Sequence, residues 1–170
     1  MNIQYKEPTQ LNSQSGLTLI ELMVATVILA ILASAAVPTM KSLFERNTIS
    51  SSGDFFVKSI KLARLEAIQR GRTVEVIPTS GTSDWSQGWS IMADDDGGTP
   101  QTIRDFPALS GNPVFSSTVY GNGQTLSILP TGQVSVLGSF EMFYSDCTGQ
   151  NKYTFNVLLS GLIQRGISSC

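Results

Sequence analysis

Apolar positions follow three rhythms along the chain. From 17 to 37 they are nearly continuous, interrupted by Thr18, Thr26, Ser34 and a single charge, Glu21. A helix needs about 20 such residues to cross a hydrocarbon core, so this run predicts a membrane helix over 17–38. From 39 to 48 apolar Leu43 and Phe44 alternate with Lys41, Glu45 and Arg46, as expected where a helix leaves a bilayer. The stretch SSSGD at 50–54 supplies capping residues and predicts that the helix bends or restarts there. Phe56, Ile60, Ala63 and Ala67 then recur at helical spacing, flanked by Val57 and Ile68, and Gly71 is placed to cap the end. This face is expected to pack on a sheet.

After Gly71 the period becomes two. Short runs at 72–79, 88–93, 101–106, 113–120, 124–129, 133–137, 139–145 and 153–159 predict strands of an antiparallel sheet. Turn residues separate them at 94–100, 120–124 and 130–133. No long linker, internal repeat, low-complexity tract or nucleotide-binding glycine fingerprint interrupts the series. The pattern predicts an α+β fold, a long N-terminal helix carrying one antiparallel β-sheet lobe.

The lone acid in the apolar run calls for a physical reason. An ionised carboxylate at the centre of a membrane helix costs roughly 2.5 to 3.5 kcal/mol on insertion scales, and such groups have partners. A secretory signal peptide places its small residue after a shorter apolar region, whereas Gly16 stands before this one. A cut after Gly16 would give Leu17 a new α-amino group and place Glu21 near the positive end of the helix dipole. The amine of a neighbouring copy is then its natural cation.

The segment G-L-T-L-I-E-L, residues 16–22, closely resembles the class III signal of type IV prepilins and pseudopilins. That resemblance implies a prepilin peptidase that cleaves between Gly16 and Leu17 and methylates the nitrogen of Leu17, which stands where phenylalanine is usual. It implies that Glu21 sets register as the subunit enters a growing filament, and that Pro38 kinks the helix. The expected organisation is a leader at 1–16, a transmembrane helix at 17–38, an amphipathic helix at 39–71 and a periplasmic β-rich lobe at 72–170, together a type IV pilin fold. The expected location is the bacterial inner membrane, single-pass with a periplasmic domain, and the pilus tip after assembly. Lys6 against Glu7 in the leader gives only a weak positive-inside signal, so orientation rests on the resemblance.

A second resemblance narrows the family. L-A-R-L-E-A-I-Q-R-G at 62–71, D-W-S-Q-G-W-S-I-M-A-D-D-D-G at 84–97, I-R at 103–104 and T-G-Q at 131–133 look like the GspH/FimT group of minor pilins and pseudopilins. It implies a structural subunit of a tip or priming complex that starts assembly of a type IV pilus. Its partners would be other minor pilins and the major pilin, or pseudopilins if the system is type II secretion. Some members of the group take part in DNA uptake through a C-terminal G-R-x-R motif. Here the tail is S-G-L-I-Q-R-G-I at 160–167, with Leu162 in place of the first arginine and Arg165 one position out of register. Arg70 and Arg72 would add to a phosphate contact only if they share a face with Arg165, and a lone arginine predicts weak, salt-sensitive binding.

Composition removes most chemistry. The 170 residues include no histidine, so triads, Cys-His pairs, H-E-x-x-H sites and an imidazole base near neutral pH are absent. No cofactor and no enzymatic activity are expected. Net charge is −2, which gives no global drive toward nucleic acid. It is uneven: residues 54–72 carry Lys58, Lys61, Arg64, Arg70 and Arg72 against Asp54 and Glu66, while 84–105 holds five aspartates against Arg104. These patches are either solvated faces or complementary surfaces of adjacent subunits. Asp94, Asp95 and Asp96 read as a solvated turn, with a calcium loop as the alternative. Of Trp85 and Trp89, one is expected to pack on the helix and the other to be partly exposed. Cys147 and Cys170 lie in the part of the chain the anchor would deliver to an oxidising compartment, which predicts a disulfide stabilising the fold by about 3 kcal/mol.

Overall fold

The computed structural model describes residues 16–94, 99–146 and 151–169, the side chains of 35–39, 94 and 151 excepted. Among them one helix, α1 (Leu19–Arg70), precedes strands β1 (Val74–Pro78), β2 (Trp89–Asp94), β3 (Pro100–Phe106), β4 (Val114–Ser117), β5 (Leu126–Ile128), β6 (Gly138–Phe143), β7 (Asn151–Val157) and β8 (Ile163–Ser169). Chain contacts divide the protein into two units, Met1–Met40 and Lys41–Cys170.

The first unit contributes the start of α1. Leu19, Ile20, Leu22, Val24, Val27, Ile28, Leu29, Ile31 and Leu32 are all exposed. A helix apolar all round, with its side chains uncovered, demands an apolar surrounding other than its own chain. Among the described residues no helix is long and apolar enough to cross a membrane. The expected span over 17–38 includes 35–38, whose side chains lie outside the described residues. Pro38 falls within α1, and its side chain is among those not described.

The second unit holds a core running from Ile49 to Val157. Phe56, fully buried on α1, is its centre: its ring meets those of Trp85, Trp89, Phe115, Phe140 and Phe155 at centroid separations of 4.6 to 6.2 Å, all edge-on. Edge-on pairs of this kind each contribute about 0.5–1.5 kcal/mol beyond the area they bury. The alternation in β1, with Val74, Val76 and Pro78 buried and Glu75 and Ile77 half-buried, is the period-two pattern of the sequence made physical.

Three details differ from the sequence reading. The expected single sheet is two four-stranded antiparallel sheets, ordered β3-β2-β1-β5 and β4-β6-β7-β8. The run at 133–137 makes only a bridge between Ile128 and Val134, whereas 163–169 is a full strand paired along β7. Nor does the helix restart at 50–54: α1 runs through the stretch unbroken. Ser51 Oγ donates to the carbonyls of Asn47 and Thr48 within the helix, at 2.8 and 3.0 Å, instead of capping a new one. Gly53 is a packing residue: a Cβ there would stand 2.7 Å from Phe155 Cζ. The predicted end does hold. Gly71 has φ 63°, Arg72 N donates to Ala67 O and Gly71 N to Ile68 O, a Schellman cap.

Candidate functional site

The helix begins where the sequence places its chemistry. Thr18 and Glu21 form a reciprocal capping pair: Glu21 N donates to Thr18 Oγ1 at 3.3 Å, and Thr18 N donates to Glu21 Oε2 at 3.4 Å. This is the S/T-x-x-E box, which satisfies two of the orphan donors of a helix N-terminus. It was legible in the sequence as Thr18 three residues before Glu21, and the single-charge reading of Glu21 passed over it. Gly16 and Leu17 precede the first helical residue in an exposed, non-helical segment. A cut between them would leave an α-amino group on Leu17, one residue before Thr18.

The second candidate, Arg165, is engaged within the lobe. Its Nη1 donates to Asp54 Oδ1 at 2.9 Å and its Nη2 to Ser50 Oγ at 3.1 Å, while the guanidinium lies 4.4 Å from the Tyr153 ring centroid. The strand β8 is thereby clamped to α1. Arg70 is paired with Glu66 at 2.8 Å and lies about 24 Å along α1 from Asp54, from the rise of the helix. Arg64 Nε donates to Gly132 O at 3.0 Å. Arg165 and Arg70 therefore do not share one phosphate-sized patch. Asp54, Ser50 and Tyr153 were not anticipated as the partners of Arg165; the alternation Ile163, Arg165, Ile167 is the signal that marks β8.

Asp95, Asp96, Cys147 and Cys170 lie outside the described residues, and of Asp94 only the backbone is described, as the end of β2. No cluster of three or more His, Cys, Asp or Glu side chains able to hold a metal occurs among the described residues.

Comparison with known proteins supplies the lineage. The family model "Type II transport protein GspH" matches residues 54–162, and "Prokaryotic N-terminal methylation motif" matches 11–37. The chain belongs to the GspH family. Solved structures with the same architecture include the type IV minor pilin FimU of Pseudomonas aeruginosa, with TM-score 0.60, 17% identity and coverage of 73% of this chain and 92% of that one. The minor pseudopilin EpsH from the type 2 secretion system of Vibrio cholerae follows at TM-score 0.54, 12% identity, 71% and 95%. No curated protein sequence matches significantly. The fold is thus the type IV pilin fold, in a family of minor pilins and pseudopilins.

In this GspH family chain the D-W-S-Q-G-W element is a core-building device. Asp84 Oδ1 accepts from Ser86 N at 2.9 Å and from Ser86 Oγ at 2.6 Å, closing a turn. Gly88 takes φ 98°, where a Cβ would collide with Phe106 O. Both tryptophans that follow from this turn are fully buried, which corrects the expectation that one is partly exposed. Burial is tolerated because each indole N–H finds an acceptor: Trp85 Nε1 donates to Tyr120 O at 3.2 Å and Trp89 Nε1 to Ser59 Oγ at 2.9 Å.

Proposed function

We propose that this protein is a minor pilin of a type IV pilus, a structural subunit of the tip or priming complex that initiates filament assembly. The observation that carries the reading is the helix start. A helix with an exposed apolar start begins three residues after Gly16, and the one carboxylate of that start, Glu21, caps it by accepting from Thr18 N. On this reading the prepilin peptidase removes 1–16 and methylates Leu17, residues 17–38 anchor the protein in the inner membrane, and Glu21 docks against a neighbouring amine. The lobe faces the periplasm and selects neighbours among other minor pilins and the major pilin. The role is structural and not catalytic.

A second reading, a minor pseudopilin of type II secretion, is favoured by the EpsH likeness and by the family's own description. DNA capture draws little support, because Arg165 already holds Asp54 and Ser50. Deleting the gene separates these readings. Loss of surface pili, with the tagged protein recovered at low copy in sheared filaments, is the expected result. Intact pili with a secretion defect would replace it by the pseudopilin reading.

A further inference from the structure

A groove of about 310 Å³ lies between α1 and the edge strand β3, lined by Phe55, Lys58, Ser59, Leu62, Arg104 and Phe106. Its composition is unusual for an idle surface. Phe55 is 38% exposed, and its ring meets Phe106 edge-on at 5.3 Å. Arg104 lies over the Phe106 ring at 5.3 Å from the centroid, and neither Arg104 nor Lys58 meets a carboxylate among the described residues. Two uncommitted cations thus flank an aromatic floor.

The position of Arg104 follows from the sheet. It pairs with buried Ile91 and so stands on the inner face, while a register shift between Ile91 and Met92 re-aims the strand beyond it. Among the described residues strand β3 is the end of its sheet and carries no further strand on its outer side. An inward-facing charge at an edge does guard against unwanted strand pairing. That role alone needs neither a second cation on the facing helix nor an exposed ring between them.

We propose that this groove is the docking site for a short acidic peptide segment of a neighbouring subunit, its carboxylate held between Lys58 and Arg104 and an apolar side chain laid on Phe55. The occupant is fixed by charge and extent. Two cations beside aromatic rings, one of them over Phe106, call for an anion with an apolar neighbour. Exposed Asp105, next to Arg104 on β3, repels a long polyanion lying along the strand. An extended peptide also satisfies the open edge of β3 by backbone pairing. This inference rests on the assembly role proposed above for the identity of the neighbour, whereas the binding chemistry can be measured without it.

The experiment uses the full chain in detergent and a fluorescein-labelled hexapeptide alternating glutamate with leucine and phenylalanine, read by anisotropy. A second peptide has the glutamates replaced by glutamine, and a short oligothymidylate serves as the third probe. Saturable binding of the acidic peptide alone, weakened about tenfold in the Lys58→Gln/Arg104→Gln variant with an unchanged melting temperature, is the expected result. Equal binding of the glutamine peptide, or an unaltered affinity in the variant, would overturn the proposal. Tighter binding of the oligothymidylate at the same residues would overturn it in favour of nucleic acid. Failure of the protein to enter pili would count against the assembly role and leave the peptide result standing.

Discussion

Arg165 on the last strand and Asp54 on the helix are joined by a 2.9 Å ion pair that closes the lobe across 111 residues of chain. The guanidinium stacks on Tyr153 and also reaches Ser50, so three contacts depend on one side chain. Arg165→Ala is expected to destabilise the lobe by about 1–2 kcal/mol, the ion pair itself being discounted because Asp54 is more than half exposed. Thermal unfolding should show a midpoint lower by roughly 3–8 °C. The same variant should leave double-stranded DNA affinity unchanged in a salt titration; a loss of steeply salt-dependent binding would return Arg165 to the phosphate-contact role.

Gly53 lets Phe155 lie directly on α1. In an exposed helix Gly→Ala is worth about 1 kcal/mol of stabilisation. Here the added Cβ would stand 2.7 Å from Phe155 Cζ, and overpacking of that kind costs about 1–3 kcal/mol. Gly53→Ala should therefore lower the melting temperature, and it should cost less in a Phe155→Leu background than in the parent. A single variant more stable than the parent would show that the ring yields freely.

Stability should fall at both extremes of pH for separate reasons. Burial pushes the Tyr120 hydroxyl up to about 12, and it donates to Val136 O at 2.6 Å. A folded pKa above the unfolded 10.0 gives stabilisation that is complete below pH 10 and lost as pH rises toward 12. Spectrophotometric titration should find Tyr120 ionising only with unfolding. On the acid side, the hydrogen bond from Lys41 holds Asp146 below its usual 3.8, so the contribution is present above that value and lost as pH falls through the lowered one. Lys41→Gln should lower stability slightly at pH 7, where the pair is fully formed, and make the curve shallower below pH 4, so that variant and parent converge as the pH falls.

The register of the last two strands bears on the cysteines. Asn151 at the start of β7 is opposite Ser169 at the end of β8. Cys147 precedes that rung and Cys170 follows it, so a bridge between them would close the free end of this pair. We expect a Cys147–Cys170 disulfide in protein isolated from an oxidising compartment, worth about 3 kcal/mol. Mass spectrometry after alkylation without reductant checks it; two alkylated thiols would dismiss the bridge.

Much of this architecture is legible in the sequence because it is written in periodicity. The spacing of Phe56, Ile60, Ala63 and Ala67 gives the buried helix face, Gly71 its end, and the alternation Val74, Val76 the first strand. What escaped is set by long-range packing. SSSGD carries local signals for a break, yet Gly53 is retained inside the helix because Phe155, far away in the chain, needs the space. Trp89 is fully buried because Ser59 on α1 supplies an acceptor that no local pattern announces. The split into two sheets, and the engagement of Arg165 with Asp54, belong to the same class of facts.

We predict that Glu21 acts in assembly and not in processing. Glu21→Ala, expressed beside the wild-type protein, should still lose residues 1–16, seen as a mobility shift dependent on the prepilin peptidase, while its recovery in sheared filaments drops severalfold. The capping role can be held separate with Glu21→Gln, which retains a side chain able to accept from Thr18 N but carries no charge; it should fail like the alanine variant. Normal incorporation of both processed variants would contradict the account.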